Sequence, residues 1–231
     1  TATVLLAGLI NALKLTGRRI ENTRFALVGM GAANVATLRL LEASGVSLQQ
    51  VVAADSRGIL HRQRADVEAE QEDYPDKWRL CLGSNPDDRR GGIAEAMRHA
   101  DVCIAFARPG PGTIRPEWVS GMASDAIVFP CSNPVPEIWP WEATQAGARI
   151  VGTGRSDFAN QLNNSLGFPA IFRGALDVRA RTITDAMCLA AADAIASFSE
   201  EEGLSDDRII ATMDDVEIYP REAVAVGMKA V

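Results

Sequence analysis

Apolar residues recur along this chain with two periods, and each period predicts an element. Val4, Leu5, Leu9, Ala12, Leu13 and Leu15 fall at helical spacing, and Gly17 stands where a helix ends. Residues 24–28 hold a short apolar run, Phe-Ala-Leu-Val, stopped by Gly29, which reads as a buried strand. Helical spacing returns over 32–44 through Leu38, Leu40 and Leu41, closed by Gly45. A second strand follows over 50–54, ended by Asp55. That is a β-α-β unit of ~30 residues, the size of one crossover.

Residues 59–82 are polar and read as helix with a loop. The acids Asp66, Glu68, Glu70, Glu72 and Asp73 form its solvated face, and 83–92 is a turn-rich loop. Helices are expected over 93–99, 116–122 and 140–146. Pro116 and Pro140 suit the first turn of the last two. Strands are expected over 101–106, 125–129 and 149–153. The alternation predicts an α/β fold, a doubly wound and mostly parallel sheet of the Rossmann dinucleotide-binding type. The pattern then changes. A polar loop over 154–167 carries Asn160, Gln161, Asn163 and Asn164. An Ala-rich helix follows over 183–198, capped by Thr182 or Thr184, and then a last helix over 221–231. The division expected is a helix at 1–18, the dinucleotide-binding domain at 19–180 and a helical extension at 181–231.

Composition narrows the classes. The 231 residues are 47% hydrophobic and 23% charged with a net charge of −7, which speaks against long disorder and against a basic face for nucleic acid. The first apolar stretch is too short for a membrane span and lacks the basic start of a signal peptide. Cys81, Cys103, Cys131 and Cys188 form no CxxC pair, so they read as free thiols of a reducing, cytoplasmic compartment. Thr1 opens directly into a helical pattern without an initiator Met, which suggests that a longer chain precedes it.

The strongest chemical signal is Gly29-Met30-Gly31-Ala32-Ala33-Asn34, placed after a strand and opening a helix. Gly29 allows the tight turn. Gly31 lets backbone N–H groups and the helix dipole meet a pyrophosphate. Asn34 stands where the third fingerprint glycine would aid helix–strand packing, and with Ala32 and Ala33 it is expected among the cofactor-binding residues. Asp55, 26 residues after Gly29, suits the hydroxyls of an adenine ribose and would repel a 2′-phosphate. The same position also suits an acid that caps a helix at Gly58. Ser56 and Arg57 adjoin it, and the Arg57 guanidinium leaves NADP open beside NAD. Arg108 and Asn133 follow strands at the carboxyl ends where such sheets bind ligands; Pro-rich turns explain both segments equally well. His61 and His99 stand alone, with no nucleophile or metal-ligand pattern beside them.

Taken in order, Thr1-Ala2, the helix to Gly17, Gly29-Met-Gly-Ala-Ala33, Asp55-Ser-Arg-Gly58, Ser132-Asn-Pro-Val-Pro-Glu137 and Thr153-Gly-Arg-Ser-Asp157 resemble the cofactor domain of malic enzymes. The most specific segments are Asn160-Gln-Leu-Asn-Asn164, Leu166-Gly-Phe-Pro and Ile171-Phe-Arg-Gly-Ala-Leu-Asp177, and the resemblance spans nearly the whole chain. Departures are Asn34 for the usual glycine, Arg108 for a small residue and Ala159 for proline. The resemblance implies NAD(P)-dependent oxidation and decarboxylation of malate to pyruvate, as a homodimer. It places Asn133 and Asn163 at the cofactor and Asn133 and Asn164 at the substrate. It puts the catalytic tyrosine and lysine, and the acids for Mg²⁺ or Mn²⁺, in an N-terminal domain preceding Thr1, with no metal ligand in this chain. Two other readings compete. One is a dinucleotide-binding module without catalysis; the other is a different dehydrogenase with a related cofactor domain.

Overall fold

A computed structural model describes residues 1–231. The chain runs α1 (Ala2–Leu15), β1 (Phe25–Val28), α2 (Ala32–Ala43), β2 (Val51–Asp55), β3 (Gly58–Ile59), α3 (Ala65–Ala69), α4 (Pro75–Gly83) and α5 (Ile93–Met97). It continues β4 (Val102–Ala105), α6 (Pro116–Val119), β5 (Ala126–Pro130), α7 (Pro140–Gln145), β6 (Ala148–Val151), α8 (Phe168–Asp177), α9 (Asp185–Glu201) and α10 (Ile218–Ala230). The six strands lie in the order β3-β2-β1-β4-β5-β6. All are parallel except β3, which runs antiparallel to β2.

The apolar runs explain the layers. Every residue of β1, β4 and β5 is buried, as expected for strands covered by helices on both faces. On one face Leu27, Ile104 and Phe129 pack under α1, α2 and α9; on the other Val28, Cys103 and Val128 pack under α5, α6 and α7. α1 and α9 belong to one core. Asn11, fully buried on α1, donates its amide to the Ala196 and Ile209 carbonyls at 3.0 and 2.9 Å. Thr184 is the cap of α9, accepting from the Met187 N–H. The four cysteines are free thiols, and no helix is long and apolar enough to cross a membrane.

Three features differ from the pattern reading. Residues 58–59 are a strand where helix and loop were expected. Asp55 pairs with Gly58 across a two-residue turn, and Gly58 takes φ +116° while packed against the Gly91 carbonyl. That strand also removes any helix for Asp55 to cap. His99 is not the end of a helix: α5 stops at Met97, and His99 has φ 60° with its N–H on the Gly121 carbonyl. Residues 168–177 form a helix that the periodicity missed. α10 packs against it, and Glu222 of α10 is fully buried with neither carboxyl oxygen hydrogen-bonded. Burial pushes that carboxyl up to about 8.

Candidate cofactor site

The winding of the sheet reverses between β1 and β4, the switch point where open α/β sheets bind ligands. Gly29 leaves β1 at φ +85° with its N–H on the Ala54 carbonyl. A Cβ there would collide with the Phe106 carbonyl oxygen and lie 2.7 Å from the Ala107 Cα. Only glycine lets the loop after β1 lie this close to the loop after β4. Gly31 is different. It caps α2 with extended backbone, is exposed, and a Cβ there meets nothing within 4 Å. No side chain caps this helix and no acid sits in its first turn. The N–H groups of a 12-residue helix therefore face open space with no anion supplied by the protein. Ala32 is exposed and Ala33 lines the adjoining cleft.

Asn34 is no cofactor contact. It is fully buried beneath the loop, and its amide donates to the Val28 and Gly29 carbonyls at 3.0 and 2.8 Å. Where a glycine would let helix and strand approach, this chain ties them together with a side chain.

Asp55 ends β2 as expected, but it is not a free acid. Its Oδ1 accepts from the Arg57 N–H at 2.9 Å, and Arg64 forks onto both oxygens at 3.1 Å. Arg64 is buried and also binds Asp66, at 2.7 and 2.8 Å. Asp66 reaches Arg57 at 3.0 Å, and Lys77 stands 3.8 Å from Asp55. The Arg64 hydrogen bonds hold Asp66 well below the usual carboxylate range, so it is more than a solvated face. Three cations against two acids leave this corner with a net positive charge. Asp55 by itself therefore does not set the electrostatics that a 2′-phosphate would meet here. Ser56 and the Arg57 side chain remain exposed beside it.

Across the switch point lies a cavity of about 340 Å³, lined among others by Ala33, Phe106, Ser132, Asn133, Gly154 and Asn164. The fold thus gathers the fingerprint helix, Asn133 and Asn164, which are far apart in sequence. Gly154 leaves room for the amide: a Cβ there would stand 3.1 Å from Asn133 Nδ2. Asn163 faces elsewhere. Its oxygen caps the Ser165 N–H at 3.1 Å and its amide meets Met213 sulfur at 3.5 Å. Asn160 is likewise structural, buried and donating to the Val151 and Asp206 carbonyls. Arg108 is exposed on the β4 loop and does not line the cavity.

Glu137 escaped the sequence reading. It is fully buried, and its carboxylate accepts from the Ala107 N–H at 2.8 Å, the Ser132 N–H at 3.1 Å and the Ser132 hydroxyl at 2.6 Å. Burial raises its pKa, opposed by these bonds, and burial raises the neighbouring Cys131 thiol far above its usual value. The signal in the sequence was an acid between Pro136 and Ile138, a place where a charge needs partners. No group of three or more His, Cys, Asp or Glu side chains gathers where it could hold a metal ion.

Comparison with known proteins gives the family. The family model described as "Malic enzyme, NAD binding domain" matches residues 1–231. The NAD-dependent malic enzyme of Geobacillus stearothermophilus is 41% identical over 98% of this chain and 45% of its own length. The NADP-dependent malic enzyme of Halomonas elongata is 36% identical over 100% of this chain and 56% of its own. The crystal structure of Entamoeba histolytica malic enzyme superposes with a TM-score of 0.95 at 49% identity, covering 99% of this chain and 47% of that one. The chain spans about half the length of these two relatives. It belongs to the malic enzyme family, as that family's NAD-binding domain.

Proposed function

We propose that this chain holds the nicotinamide dinucleotide of an enzyme that oxidises and decarboxylates malate to pyruvate. The observation that carries the reading is the Gly31 position, open and uncapped at the head of α2 beside a cleft containing Asn133 and Asn164. The bound cofactor would accept a hydride from the substrate. The α2 N–H groups would hold its pyrophosphate, and the Asp55–Arg64 corner would receive the adenine ribose. Asn133 would address the nicotinamide amide or a substrate carboxylate, and Asn164 the substrate, each through an amide that both donates and accepts.

Asp55 at the end of β2 supports NAD as the cofactor, and the positive corner around it gives NADP a foothold as well. The exposed apolar ridge Phe168, Phe172 and Leu176 on α8 supports a chain that works covered by further protein. A homodimer completed by an N-terminal malic domain, in a reducing cytoplasm, fits that reading. Calorimetric titration of the 231-residue chain with NAD and NADP tests the proposal. Saturable binding of NAD is expected; binding of neither cofactor would overturn it.

A further inference from the structure

Glu137 is the one charged side chain buried beneath the cleft, and all its hydrogen bonds go to the two loops that form the floor. The 106–108 loop leaves β4 and the 131–133 loop leaves β5. Strand pairing joins them only up to Ala105 with Pro130 and the Cys131 N–H on the Ala105 carbonyl. Beyond that point the carboxylate is the main tie, with Oε1 on the Ala107 N–H and the Ser132 hydroxyl and Oε2 on the Ser132 N–H, beside a longer contact from the Ser132 hydroxyl to the Ala107 carbonyl at 3.3 Å. The residue type follows from the donors. Two N–H groups and one O–H converge from two sides, and only a carboxylate offers acceptors at both ends. An amide would turn its NH₂ toward one of the N–H groups, and an alkyl chain would leave both unpaired in a buried place. The next residue after Ser132 is Asn133, whose amide faces the cleft.

If the pyrophosphate sits at Gly31 and the adenosine lies over β2, the nicotinamide half must extend over β4 and β5. We propose that Glu137 is a positioning residue for that half alone. It locks the backbone of the two loops so that Asn133 presents its amide at a fixed place, and it touches neither cofactor nor substrate. The inference rests on the cofactor reading above and names a part of the same site.

The test is titration of the full 231-residue chain with NAD and with ADP-ribose, which lacks only the nicotinamide base. Glu137→Ala should weaken NAD roughly tenfold and leave ADP-ribose within about twofold, since only the Asn133 contacts are disordered. Ser132→Ala removes the hydroxyl's bonds to Glu137 and to the Ala107 carbonyl, leaves both N–H bonds to the carboxylate, and should show the same split, smaller. Circular dichroism checks folding; if Glu137→Ala does not fold, Glu137→Gln and Ser132→Ala carry the comparison. Equal losses of both ligands in folded variants would make Glu137 a general structural residue and overturn the inference, as would unchanged NAD affinity. A wild-type chain that binds ADP-ribose as tightly as NAD overturns this inference and leaves the cofactor reading standing. A wild-type chain that binds neither overturns both.

Discussion

Gly29 and Gly31 look alike in the sequence, and the structure predicts opposite consequences for replacing them. A Cβ added at Gly31 meets no atom within 4 Å, and the extended backbone there suits a β-branched residue such as valine. The expected stability change is that of a poorer helix cap, about 1 kcal/mol or less. The cofactor fares worse, because the new side chain fills the space through which a pyrophosphate must approach the α2 N–H groups. Losing two hydrogen bonds to a charged group costs about 3–6 kcal/mol, or roughly 10²- to 10⁴-fold in affinity. At Gly29 even alanine collides with the Phe106 carbonyl and must hold φ +85°. Left-handed backbone and overpacking together should lower stability by about 2–5 kcal/mol. Urea unfolding and NAD titration of both variants separate the effects. Gly31→Val should fold and not bind; Gly29→Ala should melt early. A folded Gly31→Val protein with wild-type NAD affinity would remove the fingerprint from the site.

Asn34→Ala should destabilise the chain by about 1–3 kcal/mol in urea unfolding, because the Val28 and Gly29 carbonyls lose the donor that ties strand to helix. Asp55→Ala should cost about 1.5–3 kcal/mol of stability, since Arg64 loses one of its two carboxylates and keeps Asp66 and the Gly58 and Ile59 carbonyls, and should weaken NAD more than NADP; equal losses for both would show that Asp55 does not read the ribose. Glu222 sets a pH dependence: its folded pKa of about 8 lies above its ordinary 4.5, so the folded state binds the extra proton and stability falls as pH rises between those values. The fall should be roughly 3 kcal/mol between pH 5 and 7.5, and Glu222→Met should flatten it; an unchanged slope would clear Glu222 of the effect. The chain by itself should not form NADH from malate with NAD and Mn²⁺, and robust turnover would show that the proton-transfer groups lie among these residues.

Where the physics was local, the sequence was enough. The short apolar runs expected as strands over 24–28, 101–106 and 125–129 are covered strands within a residue or so of those bounds, and Gly29 and Gly31 sit between a strand and a helix as the fingerprint requires. The rest was hidden for definite reasons. α8 hides because its pattern is inverted. Ala170, Gly174 and Ala175 face inward, since Gly174 lies against the Ala223 carbonyl and Val226, while Phe168, Phe172 and Leu176 face out. Apolar periodicity therefore points away from the core. β3 is two residues long and set by a turn, so it carries no period at all. Asp55 read as a free acid because Arg64 is nine residues away along a stretch that only the 55–58 hairpin folds back. Asn34 read as a ligand because its position in the motif says nothing about which way its amide turns.

The chemistry left to this cleft is binding and orientation. Asn133 and Asn164 can hold a carboxylate or an amide, but an amide has no useful basicity near neutral pH. Glu137 lies beneath them with its acceptors already taken by three donors, so protonating it would release the loops rather than activate a substrate. Cys131 is held as a neutral thiol by burial. His61 and His99 lie elsewhere, His61 against Arg90 and His99 after α5, and neither lines the cavity. A hydride leaving malate C2 requires that the hydroxyl proton leave too, and no group lining this cleft that is free to accept it has the basicity. The polar side chains that line this cleft thus suit binding and orientation, and the proposed oxidation would need a proton acceptor other than these.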